Sequence, residues 1–178
     1  TDAAGNVSPP SAGFTVIVDT TAPNAPVITQ AIDDVGSLTG PISSGQVTDD
    51  TVPRLIGTSE PGATVRIYEG ATLVGTGIAN ASGNWTIDLT ITLGTGPHTF
   101  TAQATDAAGN NSQPSASFIL TIDTTPPALP VLASVTDDVG NAATPVANGG
   151  LTNDSQPTLS GTAEAGSTVT IYDGSTPI

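Results

Sequence analysis

The sequence predicts an all-β protein made of tandem β-sandwich domains, and two observations carry this prediction. The first is an internal repeat, because Thr1–Asn6 recurs as Thr105–Asn110 and the same offset of 104 residues relates many later motifs without a gap. The second is the alternation of apolar and polar residues with a period of two in short segments bounded by Gly, Pro and Asn. No long segment has the 3.6-residue apolar period of an amphipathic helix.

The repeat also predicts the domain organisation. About half of the positions that overlap at this offset are identical. A repeat of this length matches one small independent domain with its own core and is too long for one turn of a solenoid. We assign residues 1–22 to the C-terminal part of a preceding domain, 23–126 to a complete domain, and 127–178 to the N-terminal part of a following domain.

Seven strands are predicted within the complete repeat. Trp85, Ile87 and Leu89 share one face of the fifth strand, and the sixth turns Phe100, Ala102 and Ala104 inward. The predicted strands include or span residues 27–28, 53–59, 64–68, 72–79, 84–89, 98–105 and 117–122. Seven short strands with frequent turns are typical of an immunoglobulin-like β-sandwich.

Two connections in this repeat have distinct sequence features. Glu60-Pro61-Gly62-Ala63 has proline and glycine in the order that a type II turn requires. The connection from Ala31 to Thr51 is long for a compact domain, and loops of this length usually bind something or are disordered.

The composition is strongly acidic, with 16 Asp and Glu residues against two Arg and Lys residues and a formal net charge of −14. This balance argues against binding to nucleic acid or to anionic membrane surfaces, because both require clusters of Lys and Arg. No apolar run is long enough for insertion into a membrane. Cysteine is absent, so the chain has no disulfide and no thiolate metal site.

The acidic residues are predicted to gather at the two poles of the sandwich, because successive strands alternate in direction. The C-terminal pole of the complete repeat collects Asp33, Asp34, Asp49, Asp50 and Asp123. At the N-terminal pole, Glu60 and Asp106 face Asp19 from the preceding domain. The corresponding candidates in the following repeat are Asp137, Asp138, Asn153, Asp154 and Glu164.

Calcium is the cofactor that these acidic groups predict. Neighbouring carboxylates repel one another unless a cation lies among them, and Ca²⁺ accepts six to eight oxygen ligands in flexible geometry. Mg²⁺ demands a tighter octahedron, whereas zinc prefers His or Cys. Asn153 stands where the complete repeat has Asp49, and its amide still offers an oxygen. The alternative is that the Asp and Asn residues only form turns by bonding their own backbone.

Neither an enzyme nor a sugar-binding module is the preferred interpretation. The single histidine, His98, is predicted to lie exposed at a strand start with a structural role, and no Gly-x-Ser-x-Gly nucleophile motif occurs. A carbohydrate-binding module would use exposed aromatic side chains. The aromatic residues Trp85, Tyr68, Phe100 and Phe118 alternate with polar neighbours and are predicted to lie in the core. An exposed Trp85 would favour sugar binding.

Several motifs in this order resemble bacterial Ig-like repeats, the extender domains of large biofilm-associated and repeats-in-toxin adhesins. They are Thr-Asp-Ala-Ala-Gly-Asn, Asp-Thr-Thr-x-Pro, Gly-Thr-x-Glu-x-Gly, Thr-Val-x-Ile-Tyr and Gly-Asn-Trp-Thr. The resemblance implies a non-enzymatic spacer in a long stalk, exported by type I secretion to the cell surface and stiffened by calcium at its junctions. Its partners would be neighbouring repeats of the same chain, with the adhesion target bound by other regions.

Overall fold

A computed structural model describes residues 1–140 and 143–178, and within them the protein is all-β without a helix. The chain divides into two compact units, Thr1–Thr124 and Thr125–Ile178. No membrane-spanning helix is found among these residues. Residues 1–22 contain no strand and their side chains are exposed.

The first unit contains two β-sheets that enclose one core. One sheet has the strand order β2-β1-β4-β7 and the other has the order β3-β9-β8-β5-β6. All neighbouring strands are antiparallel except β3 and β9, which are parallel. The strands are β1 (Val27–Asp33), β2 (Gly40–Ile42), β3 (Val47–Thr48), β4 (Arg54–Thr58), β5 (Thr64–Glu69), β6 (Thr72–Ile78), β7 (Asn84–Asp88), β8 (Gly96–Thr105) and β9 (Phe118–Ile122).

All seven predicted strands are present as β1 and β4 to β9. The predicted long loop between Ala31 and Thr51 was wrong in extent, because β1 continues to Asp33 and two short strands follow it. β2 folds back on β1, with Ile42 buried opposite Ala31, and β3 runs beside the end of β9. Two or three residues per strand are too few to display a period of two, so the pattern did not reveal them.

The core forms where the inner faces of the two sheets meet. Trp85 and Ile87 from one sheet and Phe100 and Ala102 from the other are at most 2% exposed. The predicted inward faces of the fifth and sixth strands are therefore confirmed, as is the burial of Trp85, Phe100 and Phe118. The prediction for Tyr68 was wrong. Val65 and Ile67 point inward along β5, so the pleat turns Tyr68 to the outer face, where it is only half-buried.

Two glycines are required by the local structure. A Cβ atom at Gly57 would lie 2.0 Å from the carbonyl oxygen of Val27 and 2.2 Å from Cζ2 of Trp85, so β1 and the indole pack directly on the glycine backbone. Gly62 has a φ of 79°, as the third position of a type II turn requires. The turn closes with a hydrogen bond of 3.1 Å from Ala63 N to the carbonyl of Glu60.

The second unit repeats the first part of this arrangement. Its sheet β11-β10-β12 has the same order and register as β2-β1-β4, including the bulge at Leu132–Ser134 that matches the one at Ile28–Gln30. A small hairpin, β13 with β14, follows. The strands are β10 (Val131–Asp137), β11 (Thr144–Val146), β12 (Thr158–Thr162), β13 (Tyr172–Asp173) and β14 (Thr176–Pro177).

Candidate metal centre

Thr48 is the centre of the acidic pole in the first unit. β3 carries its side chain next to the end of β1, where the hydroxyl donates a hydrogen bond of 2.6 Å to Oδ2 of Asp33. The same hydroxyl oxygen accepts a bond of 3.0 Å from the backbone N–H of Asp50. Oδ1 of Asp33 accepts the N–H of Val35, also at 3.0 Å. The Asp33 carboxylate is therefore buried and held on both of its oxygens.

Asp50 is buried with only half of its carboxylate satisfied. Its residue is 3% exposed, and Oδ1 accepts a hydrogen bond of 2.8 Å from the N–H of Val52. Oδ2 is also buried, but no hydrogen-bond donor among the described residues reaches it. A buried charged oxygen without a partner costs several kcal/mol, so such atoms usually mark a bound water, an ion or a functional group. This is the strongest sign of a ligand in the first unit.

Two further predicted residues adjoin Thr48. The N–H of Asp123 donates a hydrogen bond of 2.9 Å to the carbonyl of Thr48, which brings the start of the linker to the pole. The side chain of Asp49 covers Gly36, because a Cβ built on that glycine would lie 2.3 Å from Oδ2 of Asp49. Asp33, Asp50 and Asp123 thus each bond to Thr48, whereas Asp49 lies against Gly36.

Asp34, unlike the other aspartates of the pole, interacts electrostatically with Arg54. Arg54 forms an ion pair of 2.6 Å with Asp88, which contributes most to raising the pKa of Arg54, and the charge of Asp34 adds to this effect. Asp34 therefore lies within electrostatic range of one of the two basic residues of the chain.

The donor chemistry of the pole fits a hard cation. Its candidate ligands are carboxylate and carbonyl oxygens, which suit Ca²⁺, and it offers neither His nor Cys for zinc. Within residues 1–140 and 143–178, however, no group of three or more Asp, Glu, His or Cys side chains is arranged to hold a metal ion. Binding of a cation here would therefore require rotation of side chains such as Asp49.

At the opposite pole, Asp106 is engaged within its own turn. Oδ1 accepts the N–H groups of Ala108 and Asn110 at 2.9 and 2.8 Å, and Oδ2 accepts the side-chain amide of Asn110 at 2.8 Å. The hydrogen bond from the side-chain amide of Asn110, together with the hydrogen bonds from the backbone, holds the pKa of Asp106 below its usual value of 3.8. These contacts are those of the turn-forming alternative.

The same asparagine connects this turn to the preceding linker. Nδ2 of Asn110 also donates to the carbonyl oxygens of Asp19 and Thr21, at 3.2 and 3.4 Å. Oδ1 of Asp19 caps its own loop by accepting the N–H of Thr21. Asp19 and Asp106 are thus brought together through Asn110, and Glu60 lines a shallow groove at the start of β1.

The second unit contains the same threonine and aspartate network. Thr152 donates a hydrogen bond of 2.8 Å to Oδ2 of Asp137, and it accepts the N–H of Asp154 at 3.0 Å. Asn153 lies exposed between Thr152 and Asp154. The network is therefore a property of the repeat and is not peculiar to one copy.

One oxygen distinguishes the two copies. Oδ2 of Asp154 accepts the N–H of Asp138 at 3.2 Å, whereas its counterpart on Asp50 has no such donor among the residues that the structure describes. The N–H of Gln156 is the main cause of a lowered pKa at Asp154. Elsewhere in this unit, Oε2 of Glu164 accepts the N–H of Ala128 at 3.0 Å.

Sequence reasoning missed the role of the threonine and misplaced the histidine. The signal for Thr48 was its recurrence as Thr152 at the repeat offset, directly before the Asp/Asn-Asp pair. His98 was predicted to be exposed, which was wrong, because its side chain is 16% exposed and bonds to Glu69. His98 lies two residues before Phe100 on β8, so its side chain is on the same inward face of the strand. The alternation of the sequence could have predicted this position.

Comparison with known proteins identifies the family. A family model described as a bacterial Ig-like domain matches residues 24–124, more than half of the chain. The chain belongs to the bacterial Ig-like domain family. This confirms both the predicted fold class and the resemblance noted from the motifs.

Individual relatives share only part of their length with this bacterial Ig-like chain. Exoglucanase B of Cellulomonas fimi is 36% identical over 140 residues, a match that covers 72% of this chain and 12% of that enzyme. A solved structure of a biofilm associated protein, the BSP domain, aligns with a TM-score of 0.41 and 23% identity. That alignment covers 62% of this chain and 16% of the other.

Proposed function

We propose that this chain is a non-catalytic spacer, an extender segment of a giant bacterial surface adhesin whose domain poles bind Ca²⁺. In this proposal the repeats hold a distant adhesive region away from the cell and so support adhesion and biofilm formation. The protein would be extracellular, delivered by type I secretion. Membership of the bacterial Ig-like family and the internal repeat support the spacer role.

The calcium part of the proposal rests on one observation, the buried Oδ2 of Asp50, which no donor in the described part of the chain reaches. The hydroxyl of Thr48 donates to the buried carboxylate of Asp33 and accepts the backbone N–H of Asp50. Two buried carboxylates at one pole repel each other unless a cation lies among them. The chain has 16 acidic and only two basic residues, so side chains cannot supply the missing charge.

A cation at this pole would act mechanically. Asp123 begins the segment that leaves β9 and is already bonded to Thr48. An ion shared by Asp50, Asp33 and Asp123 would tie this segment to the end of β1 and to β3. Neighbouring repeats of the same chain are the proposed partners, and the adhesion target would be bound by other regions.

The test is calorimetric titration of chelator-treated protein with Ca²⁺, together with its melting temperature. We expect binding at or below millimolar Ca²⁺ and a rise in the melting temperature of the first unit. Asp50→Asn should lower the affinity of one site at least about tenfold, because it removes a charged ligand. Asp173→Asn, an exposed carboxylate on β13 outside both poles, is the matched control.

Two results would overturn the calcium proposal. One is the absence of heat and of a melting shift at millimolar Ca²⁺, and the other is equal binding by the Asp50 and Asp173 variants. In metal-free buffer Asp50→Asn should be no less stable than the wild type, because it removes an uncompensated buried charge. Identical small-angle scattering profiles with and without Ca²⁺ would contradict the proposal that Ca²⁺ stiffens the junctions between repeats, even if the domains stay folded.

A further inference from the structure

His98, the only histidine of the chain, is held between two hydrogen-bond acceptors. Its Nδ1 lies 2.6 Å from Oε1 of Glu69, and its Nε2 lies 2.7 Å from the carbonyl oxygen of Gly94. A carboxylate and a carbonyl can only accept, and a neutral imidazole has a single N–H to donate. Both contacts are therefore satisfied only when both ring nitrogens carry a proton.

The imidazole of His98 is largely shielded from solvent, and aromatic, apolar and acidic side chains surround it. The ring is stacked on Phe100, with centroids 6.4 Å apart and 16° between the planes. On β9 it is opposite the apolar Leu120, and from β5 it is faced by Glu69, whose charge acts on it. Neither Phe100 nor Leu120 titrates. Burial lowers the pKa of His98, but the bonds to Gly94 and Glu69 outweigh it and raise the pKa above 6.5.

The segment that His98 holds is connected to the acidic pole and to the linker. The N–H of Leu93 donates a hydrogen bond of 2.8 Å to the carbonyl of Thr51, the residue after Asp50. The hydroxyls of Thr95 and Thr124 lie 3.1 Å apart. Residues 93–95 therefore contact Thr51, next to Asp50, and Thr124, next to Asp123. The imidazole links this segment to β5 through its bonds to Gly94 and Glu69.

We propose that His98 is a pH-sensitive clamp, a doubly protonated imidazole that fastens the 93–95 segment to Glu69 and loosens when it loses a proton. Because its folded pKa lies above 6.5, the stabilisation is fully present below pH 6.5 and is lost as the pH rises through the folded value. The clamp does not depend on whether the pole binds calcium, so the two proposals can fail separately.

The experiment is a pH titration of the full chain in metal-free buffer, with the ring nitrogens of His98 followed by NMR. We expect both nitrogens to be protonated at neutral pH and to titrate above 6.5, while the melting temperature falls through the same range. Glu69→Gln keeps an acceptor but removes the charge, so it should lower the pKa of His98. Asp173→Asn, which removes an exposed carboxylate on β13, should leave that pKa unchanged.

His98→Gln completes the test, because it should abolish the fall in melting temperature above pH 6.5. If that variant does not fold, the ring titration of the wild type and of Glu69→Gln still decides the question. A ring that titrates at or below 6.5 in the wild type, or a His98→Gln chain with unchanged pH dependence, would overturn the proposal. Equal pKa values of His98 in the Glu69 and Asp173 variants would do the same.

Discussion

The hydroxyl of Thr48 donates a hydrogen bond of 2.6 Å to the buried carboxylate of Asp33, across 15 residues of sequence. Thr152 and Asp137 repeat this relationship in the second unit at 2.8 Å. Both threonines also accept a backbone N–H two residues later in the chain. The same hydroxyl therefore orients one aspartate and fixes the backbone of a second.

Replacement of Thr48 by Val should destabilise the first unit, because it removes the donor to Oδ2 of Asp33 and leaves that oxygen buried. The expected loss in free energy of unfolding is about 1–3 kcal/mol. Urea unfolding followed by the fluorescence of Trp85, the single tryptophan, reports on this unit alone. Thr76→Val, on the exposed side of β6, is the control and should change stability little. Equal effects of the two substitutions would contradict the role given to Thr48.

Replacement of Gly57 by Ala should be strongly destabilising for a steric reason. The added Cβ would lie 2.0 Å from the Val27 carbonyl oxygen, so β1 and β4 would have to separate. Overpacking of this kind costs about 1–3 kcal/mol and sometimes more. Gly94→Ala is the matched control, since nothing lies within 4 Å of its added Cβ and its φ is not positive. Thermal melting of both variants would decide, and a Gly57→Ala chain as stable as the control would show the prediction to be wrong.

The turn at Asp106 should respond to acid. Because the bond from Asn110 lowers the pKa of Asp106, the turn contributes stability above pH 3.8 and loses it as the pH falls through the folded value. Asn110→Ala should move that pKa upwards towards 3.8. Carboxyl NMR titration measures it, and Asp2 is an internal control whose pKa is lowered by Asn6 in the same way. A value for Asp106 that is the same in both chains would exclude this origin of the shift.

Trp85 should be shielded from solvent, because it is 2% exposed. We expect its fluorescence to resist quenching by iodide in the native chain and to become accessible only when the first unit unfolds. Soluble cello-oligosaccharides should leave the emission unchanged, since the indole offers no surface to a sugar ring. A sugar-dependent change would revive the carbohydrate-binding alternative.

Alternation predicted most of the sandwich, because every strand of five or more residues in the first unit carries buried residues that the sequence pattern displays. It did not reveal β2 and β3, which are too short, and it failed for Tyr68, because Val65 and Ile67 occupy the inward positions of β5. The acidic pole was predicted because strand direction alone carries Asp33 and Asp123 to the same end. The unsatisfied oxygen of Asp50 could not be predicted, since it depends on side-chain rotamers. Calcium itself stays a prediction.

The parallel pairing of β3 with β9 has a consequence for a protein under tension. Val47 pairs with Thr121 and Thr48 with Ile122, so this short ladder runs along β9 up to the point where the chain leaves the domain. A pull on Asp123 is directed along β9 and loads these hydrogen bonds in shear, together with the bond from Asp123 to Thr48. Hydrogen bonds loaded in shear share the force and must break together. The pairing with β3 therefore raises the force needed to pull β9 out of the sheet.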